Sequence, residues 1–128
     1  MEPSKSSSDR RKYPRVYMYL PLEYQMKYAP RAYGGIVIDA SETGFHIYST
    51  ENIPIGTKLK IEVFFPDKYQ LANLEVAAEI VWKKVSVDQR GLGFQYGLKF
   101  IQILEEDCRM LRKLLGDRSI SEKGSDDL

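Results

Sequence analysis

Three arginines near the N-terminus have the type and spacing needed to hold an anion. Arg11 and Arg15 form an Arg-x-x-x-Arg motif, and Arg10 directly precedes it. A guanidinium is a planar fork of donors that pairs with two oxygens of a phosphate, or with the O6 and N7 acceptors of guanine. Arginines that precede a strand are also common where they are simply exposed to solvent, so this motif alone does not define a site.

A second motif, Asp39-x-Ser41-x-x-Gly44, supplies acceptors and space. Asp39 can accept from the N1–H and N2–H of a guanine, and Ser41 can bond to a base or a phosphate. Gly44 has no side chain, so a flat base or a phosphate can approach the backbone there. The same pattern is typical of a plain turn, in which Asp39 and Ser41 cap backbone N–H groups and Gly44 has a positive φ. Taken together, the two motifs favour an anionic ligand that carries guanine.

The single cysteine and the single histidine exclude other kinds of site. A structural zinc ion needs about four Cys or His ligands, which Cys108 and His46 cannot supply. Ser41 lacks the glycines of a nucleophile elbow, so acyl transfer with His46 as the base is not expected. His46 stands between Phe45 and Ile47 in an alternating run, which predicts a side chain that faces solvent from a strand. No group is arranged for catalysis, and we expect a protein that is not an enzyme.

The elements that position these motifs are predicted from the period of the apolar residues. Apolar side chains at every second position are typical of strands with one buried face. Pro21 lacks an N–H, so the first strand should lie at an edge or have an unpaired stretch. Six antiparallel strands in so short a chain must hide their edges, and closing into a small barrel achieves this. The six predicted strands cover residues 16–26, 36–38, 45–49, 59–65, 74–82 and 92–100.

The period changes to that of a helix after the last strand. Leu104, Cys108, Leu111 and Leu115 share one helical face, and Gly116 is a possible C-terminal stop. The helix can cover one open end of the barrel. We therefore predict a disordered tail over residues 1–9, a barrel domain over 10–116 and a flexible tail over 117–128.

Composition sets broader limits. The chain has 128 residues, of which 43% are hydrophobic and 29% are charged, with a formal net charge of +1. The apolar fraction is too high for a wholly disordered chain, and the charge is too small for a protein that coats nucleic acid. No apolar run approaches the roughly 18 residues that span a bilayer, and the N-terminus lacks the apolar core of a secretory signal. We expect a cytoplasmic protein with no membrane span.

The paired motifs resemble the signature of PilZ domains, the bacterial receptors for cyclic di-GMP. In that family an R-x-x-x-R motif precedes the first barrel strand, and a [D/N]-x-S-x-x-G motif starts near the end of the second. The resemblance extends over roughly residues 10–115 and includes Val81-Trp82, the segment Tyr96-Gly97-Leu98-Lys99-Phe100 and the closing helix. It implies a mainly β fold, a small six-stranded antiparallel β-barrel of the split-barrel type, with a C-terminal α-helix and a flexible N-terminal arm.

The resemblance also implies a role for each motif residue. Arg11 and Arg15 would clamp the phosphates and the Hoogsteen edges of the guanines. Asp39 and Ser41 would read a guanine from the barrel surface, with Gly44 shaping the turn. The expected ligand-binding residues are Arg10, Arg11, Arg15, Asp39, Ser41 and Gly44, and we expect no catalytic residue, metal or further cofactor.

The residue before R-x-x-x-R influences how many ligands a PilZ domain binds. Arg10 is similar to the members that bind a stacked pair of cyclic di-GMP molecules, so we expect a pair here. Binding would order the N-terminal arm and present a changed surface to an unidentified downstream protein, in a process such as motility or biofilm formation.

Two other functions and one residue stay open at the level of sequence. Tyr13, Tyr17, Tyr19 and the basic segment could bind single-stranded nucleic acid, although the small net charge argues against it. A PilZ-like adaptor that binds only protein is the second alternative. By strand parity Trp82 shares a face with Ile80 in the core, whereas in some PilZ domains a tryptophan at a similar place stacks on a guanine.

Overall fold

Six strands and one helix account for the regular structure of the residues described. The structure is a computed structural model, and it describes residues 14–89 and 91–127, with side chains described as far as Arg118. The chain order is β1 (Val16–Met26), β2 (Ala32–Ala40), β3 (Gly44–Ser49), β4 (Lys58–Asp67), β5 (Gln70–Asp88), β6 (Gly91–Gln102) and the helix α1 (Glu105–Asp127).

The strands form a closed antiparallel barrel in the order β1-β2-β3-β6-β5-β4. β1 closes the ring because it pairs with β2 on one side and with β4 on the other. The predicted small β-barrel with a C-terminal helix is therefore confirmed. Closure leaves few strand edges exposed, as the small size of the domain requires.

The barrel interior is lined by the apolar residues that recur at every second position. In β1 the buried positions alternate with exposed ones, as the period of a strand predicts. Two buried tyrosines bring hydroxyl groups into this interior, and each hydroxyl is hydrogen-bonded. Tyr24 bonds to Ser49 over 2.7 Å, and the Tyr96 hydroxyl accepts from the Ile53 backbone N–H over 2.8 Å. The largest fully buried side chains include Tyr24, Phe45, Ile47, Leu59, Ile61, Leu74, Ile80 and Tyr96.

The first half of β1 has an irregular backbone next to the start of the strand. Pairing with β4 begins only at Leu22, so Pro21 lies in the stretch of β1 that pairs with β2 alone. The N–H that proline lacks is therefore not needed for hydrogen bonds between β1 and β4. Of the two predicted alternatives, the unpaired stretch is confirmed, and β1 is not an edge strand because the barrel is closed. The register with β2 shifts between Tyr17 and Leu20, and Tyr19 has a φ of 49°. Both features mark a β-bulge, which bends the strand.

Helix α1 packs against the barrel through its apolar face. Leu111 and Leu115 are buried in the core, Cys108 is half-buried, and Leu104 lies before the helix and is exposed. Acidic residues fill the first turn, where they stabilise the helix dipole.

The predicted stop at Gly116 is wrong, because α1 continues to Asp127. A glycine inside a helix costs only about 1 kcal/mol, and flanking residues can offset that. The predicted tail over residues 1–9 lies outside the described residues. Within the part of the chain that is described, no helix is long and apolar enough to cross a membrane.

Candidate functional site

A transverse row of outward-facing residues crosses five strands of the barrel. Each member of the row is the register partner of the next: Tyr17 of Asp39, Asp39 of His46, His46 of Gly97, and Gly97 of Trp82. Residues that are directly opposite on neighbouring strands lie about 5 Å apart. Antiparallel pairing therefore brings together side chains that are far apart in the sequence.

Trp82 reaches this outer row because β5 contains a bulge. The register between β5 and β6 shifts between Ile80 and Trp82, so Val81 is the additional residue. One inserted residue moves the following side chains to the opposite face. Ile80 is buried, whereas Trp82 is 42% exposed. The core position that strand parity predicts for Trp82 is therefore wrong.

The indole of Trp82 lies directly on the backbone of Gly97. A Cβ at Gly97 would stand 1.9 Å from the Trp82 Nε1, so no other residue type fits under the ring in this position. The indole also lies beside the His46 imidazole, with ring centroids 5.3 Å apart and an interplanar angle of 50°. The missing side chain at Gly97 thus lets the tryptophan extend toward β3.

Arg15 joins the two sequence motifs at the other side of the row. It directly precedes β1, and its Nε donates to the Asp39 Oδ1 over 2.5 Å. Its Nη2 also donates to the Gly44 carbonyl over 3.5 Å. The Arg15 side chain is 33% exposed and that of Asp39 is 15% exposed. The arginine motif and the Asp-x-Ser-x-x-Gly motif therefore meet in space through Arg15, as the sequence predicts for one site.

Ser41 shapes the turn between β2 and β3 rather than lining the cleft. Its side chain is buried, and its Oγ accepts from the Thr43 backbone N–H over 3.2 Å. The Ser41 N–H donates to the Gly44 carbonyl over 3.0 Å. This is the local capping role expected of a serine in a turn. A ligand contact by Ser41 stays a prediction.

Gly44 is required by close packing and not by its backbone conformation. The positive φ expected for it is wrong, because the glycines with positive φ among the described residues are Gly56 and Gly91. A Cβ at Gly44 would instead lie 2.1 Å from the Leu98 carbonyl oxygen. The absence of a side chain lets β3 and β6 approach each other beside the turn.

Helix α1 and β6 hold this turn in place. The Thr43 carbonyl accepts from the Phe100 N–H over 2.9 Å. Arg112 of α1 donates to Glu42 over 3.1 Å. An exposed ion pair of this kind contributes about 0–1 kcal/mol, so it orients the turn more than it stabilises the barrel.

His46 is the functional candidate that the sequence did not identify. Its ring is half-buried, and both nitrogens have partners: Nδ1 lies 2.9 Å from the Asp39 Oδ2, and Nε2 lies 2.7 Å from the Gln95 Oε1. The Gln95 Nε2 donates in turn to the Ser86 Oγ over 3.2 Å. The predicted outward orientation is correct, but the ring is not simply solvated. In the sequence, the one feature that could have indicated a role for His46 was its position on the outer face two residues after Gly44.

These residues line a cleft of about 340 Å³ on the outside of the barrel. Arg15 and Lys99 provide positive charge, and Asp39 provides a carboxylate. Trp82 adds a flat ring that a base can stack on. The lining is completed by Thr43, Gly44, Phe45, His46, Val81, Gly97 and Leu98. Arg10 and Arg11 lie outside the described residues.

The cleft can bind a planar, anionic molecule. A guanidinium and an ammonium attract phosphate oxygens, a carboxylate accepts from the N–H groups of a base, and an indole stacks on its face. Each of these interactions holds a ligand in the cleft.

Comparison with known proteins identifies the family of the chain. A model of the family described as PilZ domain matches residues 9–117. Among the curated proteins no sequence matches the chain.

Solved structures share the fold at low sequence identity. The Bacillus subtilis inhibitor of motility MotI/DgrA superposes with a TM-score of 0.70 at 17% identity, over 88% of this chain and 52% of that one. The PilZ domain of YcgR from Escherichia coli, solved with c-di-GMP, gives 0.63 at 17% identity, over 92% and 98%. PlzA of Borreliella burgdorferi, in complex with c-di-GMP, gives 0.61 at 9% identity, over 94% and 56%. The chain thus spans about half the length of MotI/DgrA and PlzA.

Proposed function

Because the chain belongs to the PilZ domain family, we propose that it is a receptor for cyclic di-GMP, which binds the ligand and releases it unchanged. The observation that carries this proposal is the meeting of Arg15 with Asp39 and Gly44 in one cleft that also contains Trp82. Cyclic di-GMP has two phosphates and two guanines, so it needs the donors, the acceptors and the flat surface that this cleft combines.

Each group in the cleft has a part in binding. The guanidinium of Arg15 pairs with a phosphate or with a guanine Hoogsteen edge, and Lys99 adds positive charge. Asp39 accepts from the N1–H and N2–H of a guanine. Trp82 stacks on a guanine face, a contact favoured by its exposure and by its place beside His46. The YcgR and PlzA structures that contain c-di-GMP share this fold, which supports the choice of ligand.

The N-terminal arm completes the site in this proposal. Arg10 and Arg11 stand a few residues before Arg15, close enough in the chain to reach the same ligand. The arm then folds over the nucleotide, and Arg10 favours a stacked pair of cyclic di-GMP molecules. The changed surface is what a downstream protein in the cytoplasm recognises.

Fluorescence of the single tryptophan tests the site directly. Because Trp82 lines the cleft, addition of cyclic di-GMP should change its emission in a saturable way. The variant Arg15→Ala should weaken binding by about ten- to hundredfold, since charge-assisted hydrogen bonds contribute about 1.5–3 kcal/mol each.

A matched variant removes a guanidinium elsewhere. Arg109→Ala truncates an arginine on α1 that pairs with Glu105 and lies outside the cleft, so it should bind like the parent chain. If Arg15→Ala and Arg109→Ala bind equally well, Arg15 is not part of the site.

One observation favours a second candidate, the binding of single-stranded nucleic acid. Tyr17 and Tyr19 are both exposed, and their rings stack with centroids 5.7 Å apart and an interplanar angle of 10°. Exposed aromatic rings beside basic residues can stack on successive bases. Salt-dependent binding of a labelled oligonucleotide that cyclic di-GMP does not displace would favour this candidate over the receptor.

A further inference from the structure

We propose that His46 is a positioning residue of the nucleotide site, which keeps Asp39 hydrogen-bonded while Arg15 transfers from Asp39 to a phosphate of the ligand. The inference rests on the proposed function and assigns a role to a residue outside both sequence motifs. Its basis is that Asp39 has two partners, one on each carboxylate oxygen, and that they come from opposite sides of the row.

The first step concerns what the ligand must displace. Arg15 is the arginine of the motif that reaches the cleft among the described residues, and its Nε is already bonded to the Asp39 Oδ1 at 2.5 Å. A phosphate competes with that carboxylate for the same planar fork of donors. Full engagement of the phosphate by the guanidinium therefore weakens or breaks the bond between Arg15 and Asp39.

The second step concerns what this exchange leaves behind. The Asp39 side chain is only 15% exposed, so water replaces a lost partner poorly. The guanine N1–H and N2–H can take the place of Arg15 on Asp39 only if the carboxylate keeps its orientation, and one lost charge-assisted bond lowers the affinity by about tenfold. His46 prevents this loss, because its Nδ1 stays 2.9 Å from the other oxygen, Oδ2.

The third step is that the ring is held for this role. A carboxylate only accepts, so the proton of the contact with Asp39 resides on the His46 Nδ1. The opposite nitrogen, Nε2, lies 2.7 Å from the Gln95 amide, which is itself bonded to the Ser86 Oγ. An amide offers either its oxygen or its N–H, so Gln95 accommodates the charged and the neutral ring alike. In both forms Nδ1–H faces Asp39.

Neighbouring groups define the surroundings of the ring. Trp82 covers one side of His46, at 5.3 Å between centroids. Phe45 and Ile47 on either side of it in β3 are buried, so the strand backbone is fixed by the core. The imidazole therefore has little freedom to leave Asp39, whereas Arg15 precedes β1 and is held by side-chain contacts.

Three substitutions separate this role from simple packing. Asparagine at position 46 keeps an N–H near the place of Nδ1, glutamine keeps one near the place of Nε2, and leucine keeps neither. His46→Asn should bind cyclic di-GMP within about threefold of the parent, while His46→Gln and His46→Leu should bind about tenfold more weakly or worse. Calorimetry measures the affinities, and thermal unfolding confirms that each variant is folded.

A spectroscopic measurement on the parent chain provides an independent readout. His46 is the only histidine, so its imidazole nitrogens are identified without further assignment. In ¹⁵N NMR, the Nδ1–H signal should persist when cyclic di-GMP is added, while the Arg15 Nε–H signal shifts. A ring with its proton on Nε2 alone, or an Arg15 signal that stays unchanged in the saturated complex, would overturn the proposal.

The outcomes distinguish the inference from the function on which it rests. If the parent does not bind cyclic di-GMP, both are wrong. If the parent binds and folded His46→Leu binds equally well, the receptor function stands and the role of His46 is wrong. If His46→Asn and His46→Gln weaken binding to the same extent, the contact with Asp39 is not what matters, and the proposal is likewise overturned.

Discussion

At the scale of single residues, two missing side chains shape the cleft as much as the polar groups do. Gly44 has no Cβ where the Leu98 carbonyl oxygen approaches, and Gly97 has none where the Trp82 indole lies. Without these close approaches the turn would stand away from β6 and the indole would not lie beside His46. The donors and acceptors were evident from the sequence, but the reason for each glycine depends on its neighbour across the strands.

Gly97→Ala tests the position of Trp82. The added Cβ would lie 1.9 Å from the Trp82 Nε1, so the exposed indole must swing away from the cleft while the barrel stays folded. Base–aromatic stacking contributes about 1–3 kcal/mol, so we expect binding of cyclic di-GMP to weaken roughly five- to hundredfold. Fluorescence titration measures the change.

Gly34→Ala is the matched control, because a Cβ there meets only the Leu22 carbonyl oxygen at 3.9 Å. Its binding should equal that of the parent. Unaltered binding and unaltered tryptophan emission in Gly97→Ala would show that the ring is not held where the structure has it.

At the scale of elements, bulges and the ends of strands determine which side chains meet. Register shifts follow Tyr17 in β1, Val37 in β2 and Ile80 in β5, and each lies next to a member of the transverse row. Such irregularities are common next to binding sites because they redirect a side chain. The start of β1 is such a strand end, and Arg15, which directly precedes β1, lies where the N-terminal arm joins the barrel.

Ligand binding should order the N-terminal arm. Fixing the backbone costs about 1–2 kcal/mol per residue, and each charge-assisted bond returns about 1.5–3 kcal/mol, so several arginine contacts are needed to hold a short segment. Amide hydrogen exchange should therefore slow over residues 10–15 when cyclic di-GMP is added. Amides in the middle of β4, away from the cleft, serve as the internal control. Equal exchange in the arm with and without a saturating ligand would contradict the ordering.

Gly116→Ala tests how the long helix tolerates its glycine. The position is exposed, and an added Cβ meets nothing within 4 Å, so alanine fits without displacing a neighbour. Alanine should raise the free energy of unfolding by about 0.5–1 kcal/mol, because glycine loses more backbone entropy in a helix. Urea unfolding followed by circular dichroism measures this, and a loss of stability would mean that the helix ends near Gly116 after all.

At the scale of the whole molecule, the buried tyrosines link the stability of the barrel to alkaline pH. Burial raises the pKa of Tyr24 from 10.0 to about 12, although its hydrogen bond with Ser49 acts in the opposite direction. Burial also raises the pKa of Tyr96. The folded state then holds these protons more tightly than the unfolded state does, so the stability they contribute is complete below pH 10 and is lost as pH rises through the folded-state pKa.

The free energy of unfolding should therefore fall between about pH 10 and pH 12. For Tyr24 a pKa difference of that size corresponds to on the order of 3 kcal/mol. Tyr24→Phe should show a shallower decline, with the remainder due to Tyr96. Tyr69→Phe changes a fully exposed ring and should follow the parent. If Tyr24→Phe and the parent decline in parallel during urea unfolding at each pH, the Tyr24 proton is not coupled to folding.

Much of the fold followed from period-two patterns, whereas the site depended on departures from them. Alternation identified five of the six strands because one face of each is buried, whereas β2 was predicted only from the apolar run 36–38 and extends from Ala32 to Ala40. R-x-x-x-R with D-x-S-x-x-G indicated which ends had to meet. Val81 could not be recognised as an added residue, since a bulge is defined by its partner strand. Strand parity alone therefore put Trp82 on the face of Ile80 and left its role open. The outward orientation of His46 was predicted, but its partners Asp39 and Gln95 come from neighbouring strands and could not be read from its own strand. The helix end was missed because an exposed glycine is tolerated inside α1.

Calorimetric titration of the full chain with cyclic di-GMP tests most directly whether the cleft is a nucleotide site. We expect a saturable heat of binding that corresponds to a pair of nucleotides per chain, with an affinity that falls about ten- to hundredfold in Arg15→Ala. A single nucleotide per chain would contradict the stacked pair and leave the receptor in place. The absence of any saturable heat in the folded parent would contradict the receptor itself.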